Sequence, residues 1–340
     1  MRQGYNPQKD KAEVLSEYYH QVIIPVFLPN RDGYFKDGLQ ILHYCLRSLL
    51  LTIHPKTFIT IVNNGSSAEV AAYLEDLRLK GEIHELVHTT NIGKINAVIK
   101  GLGGHSFELV TVADADVMFL SGWQDACYEV FRDFPKAGAV CTTPSSKSLR
   151  THTANIWAHL LFSDRLAFRD VQDAGALNAF AHSIGNPDFY SKLHLERYLT
   201  VTSNQNEAVV GAGHFVATYR GDVFQNLSSR FSRYKLGGDS LDKILDKPVL
   251  QNGFWRLSTV RNYTFHMGNV AEDWMSIALQ QIKPSGQSLA MPLLHPKKSP
   301  GVFRKVLDRL FANILNRKKT AVWLLRVKGM SASDAKNYLS

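Results

Sequence analysis

The chain has 340 residues, 45% of them hydrophobic and 20% charged, the make-up of a folded domain with a sizeable core rather than of a disordered chain. No apolar run reaches the roughly 18 residues that suggest a membrane span, and the polar start MRQGYNPQKD lacks the apolar stretch of a secretory signal. The formal charge of +9 sits at one end: residues 297–340 hold eleven Lys/Arg and two Asp/Glu, leaving 28 of each sign elsewhere, which excludes a chain-wide nucleic-acid footprint.

In chain order, QVIIPVFL at 21–28 reads as a strand buried on both faces. Residues 38–52 carry apolar side chains at helical spacing, including Leu39, Leu42, Leu46, Leu49 and Leu50. A second buried strand at 58–62 stops at the turn residues Asn63, Asn64, Gly65 and Ser66. A helix at 68–80, a short strand at 83–87, a helix at 94–102 and a strand at 109–113 follow. This alternation predicts parallel βαβ units and a doubly wound sheet. One more strand is expected at 138–142, before the less regular stretch 145–206. Beyond it, 208–219 reads as one strand, 241–245 as part of a helix and 254–265 as largely strand. The three cysteines, Cys45, Cys127 and Cys141, match no zinc or redox spacing and are expected to be reduced thiols in a cytoplasmic protein.

Ligands of a parallel sheet bind beyond the carboxyl ends of its strands. The strand LVTVA runs directly into Asp114-Ala115-Asp116. Two carboxylates at the end of a buried strand are costly unless a cation compensates them. A divalent metal carrying a diphosphate is such a cation, because hard ions prefer oxygen ligands.

The pieces around that pair stand in a telling order. VIIPVF opens the domain, NNGSS forms a turn, and NIGKINAVIKG starts a helix. ADADVMF, VVGAGHFVATYRGDVF, GGDSLDKIL and FHMGN follow. As an ordered set they resemble the family 2 glycosyltransferases of GT-A fold, over roughly residues 21–269. The resemblance implies an α/β GT-A fold with a doubly wound, mostly parallel sheet. Residues 1–20 are an N-terminal extension, 21–275 the catalytic domain with 145–206 as an acceptor-side insertion, and 276–340 a basic amphipathic helical tail.

By resemblance, Asp116 ligates a manganese or magnesium ion, joined by His266, and Asp114 contacts the ribose or the metal's water shell. Asn63 and Ser66 border the nucleoside, Pro25 and Phe27 lie beneath the base, and Lys94 faces the phosphates. Asp239 is the candidate general base, with Asp242 one turn on as its rival. The chain departs from the family at three places: Asn63 replaces the first acid of the turn, Ile99 the helix Asn, and Gly238 the Glu of the E-D pair.

The implied reaction is a metal-dependent, inverting transfer of a sugar from a nucleotide-diphosphate donor, a UDP-sugar favoured, to a hydroxyl of a glycan or lipid-linked acceptor. Polysaccharide biosynthesis is the implied setting. A non-catalytic sugar-nucleotide-binding module and a nucleotidyltransferase are the alternatives, the latter poorly matched by PVFLPNRDGYF. In the tail, Val302-Phe303, Val306-Leu307, Leu310-Phe311 and Ile314-Leu315 form one helical stripe beside several Lys and Arg, with Trp323 beyond. Residues 302–328 therefore predict contact with an anionic membrane surface, at the inner face of the membrane, with packing on the catalytic domain and contact with another subunit as the competing readings.

Overall fold

The computed structural model describes residues 4–7, 9–11, 16–203, 206–225, 227, 229–285, 290–295 and 301–339. Asn204 and Gln205 of the 145–206 stretch, and Lys297 and Lys298 of the basic tail, lie outside the described residues.

The strands in chain order are β1 (His20–Val26), β2 (Thr57–Asn64), β3 (Glu85–Thr89), β4 (Leu109–Ala113), β5 (Val117–Phe119), β6 (Ala137–Cys141), β7 (Leu166–Asp170), β8 (Arg197–Thr202), β9 (Glu207–Val210), β10 (Val216–Arg220), β11 (Trp255–Ser258) and β12 (Thr264–His266). Among the described residues, ten of them form one sheet in the order β3-β2-β1-β4-β10-β6-β11-β9-β8-β7. Strands β1 to β4 pair in parallel, β10 runs antiparallel between β4 and β6, and β6 and β11 are again parallel. The far edge, β9-β8-β7, is an antiparallel meander. The parallel half follows from its sequence, since β1, β2 and β4 are buried almost throughout and are rich in Val and Ile. The α/β class and the GT-A type of layered sheet expected from the sequence are present, with helices after the parallel strands and a helical C-terminal region.

Helices Gly38–Thr52 and Lys94–Leu102 and strand β4 begin and end where the sequence pattern placed them. Two expected strands divide. The run 208–219 is β9 and β10, which are not neighbours in the sheet. Gly211 causes the break: its φ is +103, and a Cβ there would come within 2.4 Å of the Ser148 carbonyl oxygen. The run 254–265 is β11 and β12, and β12 leaves the main sheet to pair with β5.

The tail packs onto this frame. Helix Val302–Asn316 lies against helix Ala154–Leu160. Leu315, Leu324, Leu325, Ala335 and Tyr338 are buried in one cluster with Trp157, Phe131 and Val210. Arg150 Nε donates to the Leu315 carbonyl at 2.8 Å, and Tyr338 donates its hydroxyl proton to the Arg197 carbonyl at 2.8 Å. All three cysteines are free and buried.

Candidate active site

Strand β4 is wholly buried, and its last backbone bond places Asp114 N 2.7 Å from the Phe215 carbonyl oxygen. The chain then turns through Asp114-Ala115-Asp116 into β5. Antiparallel pairing of β5 with β12 sets Val117 opposite His266, and Met267 N donates to the Asp116 carbonyl at 2.8 Å. Two short strands thereby carry a histidine from the end of the domain to the acidic turn.

His266 presents Nε2 to Asp116 Oδ2 at 3.4 Å, and its Nδ1 is hydrogen-bonded to Ser183 Oγ at 2.9 Å. The rings of Phe180 and Phe215 meet His266 edge-on and hold its plane. Asp116 Oδ1 is buried and has no hydrogen-bond partner. Burial is the chief reason that its pKa is raised to about 6; His266 opposes the rise and Asp114 adds to it. Asp114 is ion-paired with Lys94, the first residue of helix Lys94–Leu102. A carboxylate with one orphaned oxygen and the other facing an imidazole nitrogen is a donor set that suits a divalent ion.

Two cavities meet at Asp114. The first, of about 380 Å³, is lined by Pro25, Phe27, Lys94, Asp114 and Asp116, together with Tyr34 and Phe35. It lies at the carboxyl ends of β1, β2 and β4, where a parallel sheet binds its ligands. Asn63 and Ser66 do not line it. Asn63 is buried, bonded to His88 and to the Ser66 backbone, and Ser66 Oγ ties the β1 end through Leu28 N. Their neighbour Asn64 lines the cavity instead, with Asn91, and its Oδ1 accepts from Ile92 N at 2.9 Å.

A loop covers one side of this cavity through Lys235 and Leu236. Asn96 holds that loop by a reciprocal pair of bonds to the Ser232 backbone, at 2.7 and 2.8 Å. Lys94 N also donates to the Lys235 carbonyl at 2.8 Å. The helix Asn absent at Ile99 thus has a counterpart one turn earlier, in a different role. Gly238 follows with φ +65, and a Cβ there would sit 2.5 Å from the Tyr234 ring. Its departure from the family's Glu therefore matches the backbone.

Asp239 opens the helical segment that runs to Gln251. It stands on the surface, its side chain 52% exposed and paired with Lys243 at 2.6 Å, a contact that holds its pKa below the usual value. It lines neither cavity. Asp242 turns inward to His152 and Lys247.

The second cavity, of about 410 Å³, is lined by His266 and Asp114 on one side and by Phe180, Phe189, Tyr190 and His214 on the other. Elsewhere in 145–206, Trp157 is buried in the core and Phe162 is exposed. His214 bonds through Nε2 to Asp246, which is 1% exposed and also paired with the fully buried Arg256 at 2.8 Å. Sequence reading missed this dyad because its members lie 32 residues apart on different elements. His152, Asp242 and Asp246 also approach closely enough to share a cation, but Lys247, Arg256 and His214 already compensate the two carboxylates.

Residues 22–185 match the family model described as glycosyl transferase family 2. This segment is a family 2 glycosyltransferase domain. Among curated proteins, the poly-beta-1,6-N-acetyl-D-glucosamine synthase of Staphylococcus epidermidis (strain RP62A) is 32% identical over 99 residues. A second protein of that name from the same species is 31% identical over 99 residues. Each alignment covers 29% of this chain and 24% of the relative, so the match spans about a quarter of those proteins. Among solved structures, S. aureus TarS 1–349 in complex with UDP-GlcNAc is 10% identical, with 93% of this chain and 83% of that one covered and a TM-score of 0.43. The mannosyltransferase PcManGT from Pyrobaculum calidifontis, in complex with GDP-Man and Mn2+, is 13% identical, with 93% and 73% covered and a TM-score of 0.41. The matched glycosyltransferase segment contains Lys94, Asp114 and Asp116; His214, Asp239 and His266 lie beyond it.

Proposed function

We propose that this chain is a metal-dependent inverting glycosyltransferase that moves a sugar from a nucleotide-diphosphate donor, a UDP-sugar favoured, to a hydroxyl of a glycan or lipid-linked acceptor. The observation that carries the reading is Asp116, whose Oδ1 is orphaned and whose Oδ2 stands 3.4 Å from His266 Nε2, in the wall of a cavity that also holds the Lys94–Asp114 pair. A manganese or magnesium ion held by Asp116 and His266 would supply Lewis-acid neutralisation of the diphosphate leaving group.

The chain's own residues supply the rest. Phe27 and Phe35, edge to face at 5.8 Å, with Pro25, form an apolar slot for a nucleoside base. Asn64 takes the nucleoside-bordering position at that cavity that was expected of Asn63 and Ser66. In this reading Asp114 contacts the ribose or the metal's water shell, and Lys94, released from it, faces the phosphates. The sugar then lies between the two cavities, and the insertion 145–206 provides the acceptor wall through Phe180, Phe189 and Tyr190. With Nε2–H donated to Asp246, His214 keeps a lone pair on Nδ1 that can accept from an acceptor hydroxyl.

For proton removal we retain Asp239. Its surface pair with Lys243 is of a kind that contributes little, so that pair does little to fix the carboxylate in its outward orientation. The outward orientation of Asp239 also favours, as a second reading, a module that binds the sugar nucleotide without transferring the sugar. Donor hydrolysis separates the two. A catalyst releases nucleotide diphosphate from a UDP-sugar in the presence of manganese and stops in chelator, whereas a binding module releases none in either condition.

A further inference from the structure

The amphipathic stripe of the tail is divided by the fold. Along helix Val302–Asn316, Leu315 is buried, and Phe311, Ala312 and Ile314 pack against the main cluster. The other end of the stripe stays outside: Val302 is 80% exposed, Phe303 81%, Val306 57% and Leu310 52%. Spacings of three and four residues put Phe303, Val306 and Leu310 on one face, and the exposed cations Lys305 and Arg309 flank it. The helix's one acid, Asp308, is half-buried on the side of Arg304 and Lys136. The free face thus offers apolar groups and positive charge, with no carboxylate. The next helix, Lys318–Val327, repeats the pattern with half-exposed Trp323 and exposed Lys319 and Arg326.

We infer that this face of helix Val302–Asn316 docks the protein on an anionic lipid surface, lying in the plane of the headgroups. Docking deepens the lipid-linked side of the acceptor reading, but it needs no catalysis. Each observation narrows the occupant. At 15 residues the helix is too short to cross a bilayer, and among the described residues no helix is long and apolar enough to do so. An apolar stripe flanked by Lys and Arg, with an aromatic among its apolar residues, suits the boundary between headgroups and acyl chains. A second copy of the same face would bring its cations against like charge. Because the opposite face of the helix is held by the core, docking orients the catalytic domain rather than tethering it loosely.

The test is sedimentation of the full chain with vesicles of phosphatidylcholine, with and without phosphatidylglycerol, at low and at high salt. Two variants sit on exposed positions and leave the packed face intact: Phe303→Ser with Leu310→Ser, and Lys305→Glu with Arg309→Glu. The wild type is expected to bind phosphatidylglycerol vesicles at low salt and to be released by high salt, with each variant weakened about tenfold or more. Metal-dependent release of nucleotide diphosphate in solution is expected to be the same for all three proteins, so failure of docking is distinguishable from failure of the transfer reading. Absence of binding to anionic vesicles at low salt overturns the inference. So does equal binding by the wild type and the serine variant. A dimer on gel filtration that the serine variant breaks, without lipid binding, also overturns it and assigns the face to a second copy.

Discussion

His266 Nε2 stands 3.4 Å from Asp116 Oδ2 although 150 residues separate them, because β12 leaves the main sheet and pairs with β5. The pair forms only when the end of the domain has folded back onto the acidic turn. In the proposed function, metal affinity is therefore a readout of the complete fold.

Asp116 itself is under electrostatic stress. A carboxyl whose folded pKa is raised to about 6 contributes stability at low pH and loses it as pH rises through that value. Above about pH 7, Asp116→Asn should therefore stabilise the metal-free protein by up to about 3 kcal/mol, fading on acidification. Thermal melts of both proteins across pH in chelator check this; an unchanged or lower midpoint for the variant at high pH contradicts it.

Arg256 and Asp246 are a buried ion pair, and removing one partner strands the other. Asp246→Asn should destabilise by about 3–5 kcal/mol, and adding Arg256→Met should recover part of the loss. Urea unfolding of the single and double variants measures both. At the same site, His214→Gln keeps the fold and should leave donor binding unchanged.

Three histidines buried as neutral rings set the acid limit. His20 is held well below the usual range, and His54 and His194 are pushed to about 4, in each case chiefly by burial. The unfolded chain takes up protons at these rings near pH 6.5 while the folded chain does not. Stability is therefore full above that pH and falls as pH drops toward 4, with a limiting slope of about 1.4 kcal/mol per pH unit for each ring. Midpoints that stay flat between those limits would contradict the assignment.

Asp239→Asn should lower turnover by about 100- to 10,000-fold while donor affinity stays near normal, as expected of a lost proton acceptor. Steady-state kinetics with a hydrolysable UDP-sugar measures this. If Asp242→Asn is the inactive variant and Asp239→Asn is not, the base lies one turn further along.

The parallel half of the sheet was legible because burial on both faces writes continuous Val/Ile runs, and because the helices between carry a clear stripe. Asp114 and Asp116 were legible for a related reason: acids at the end of such a run stand out. What failed to read was decided by three-dimensional fit. Nothing local in 208–219 says that Gly211 must pass the Ser148 carbonyl, so two strands read as one. Strand β5 has three residues, too few for any period to register. Asn63 and Asn64 are equivalent on paper, yet strand alternation turns the first toward His88 and the second toward the cavity. His214 and Asp246 come together only through the fold.

A metal site built by Asp116 and His266 is tested most directly by manganese-dependent binding of UDP, followed by thermal shift. A ligand that binds only the native state raises its stability by about 2.7 kcal/mol at a hundredfold excess over Kd. The wild type should shift with UDP and manganese together much more than with either alone, and Asp116→Ala and His266→Ala should each lose that extra shift while melting cooperatively. A manganese-dependent shift that survives in Asp116→Ala would contradict the account.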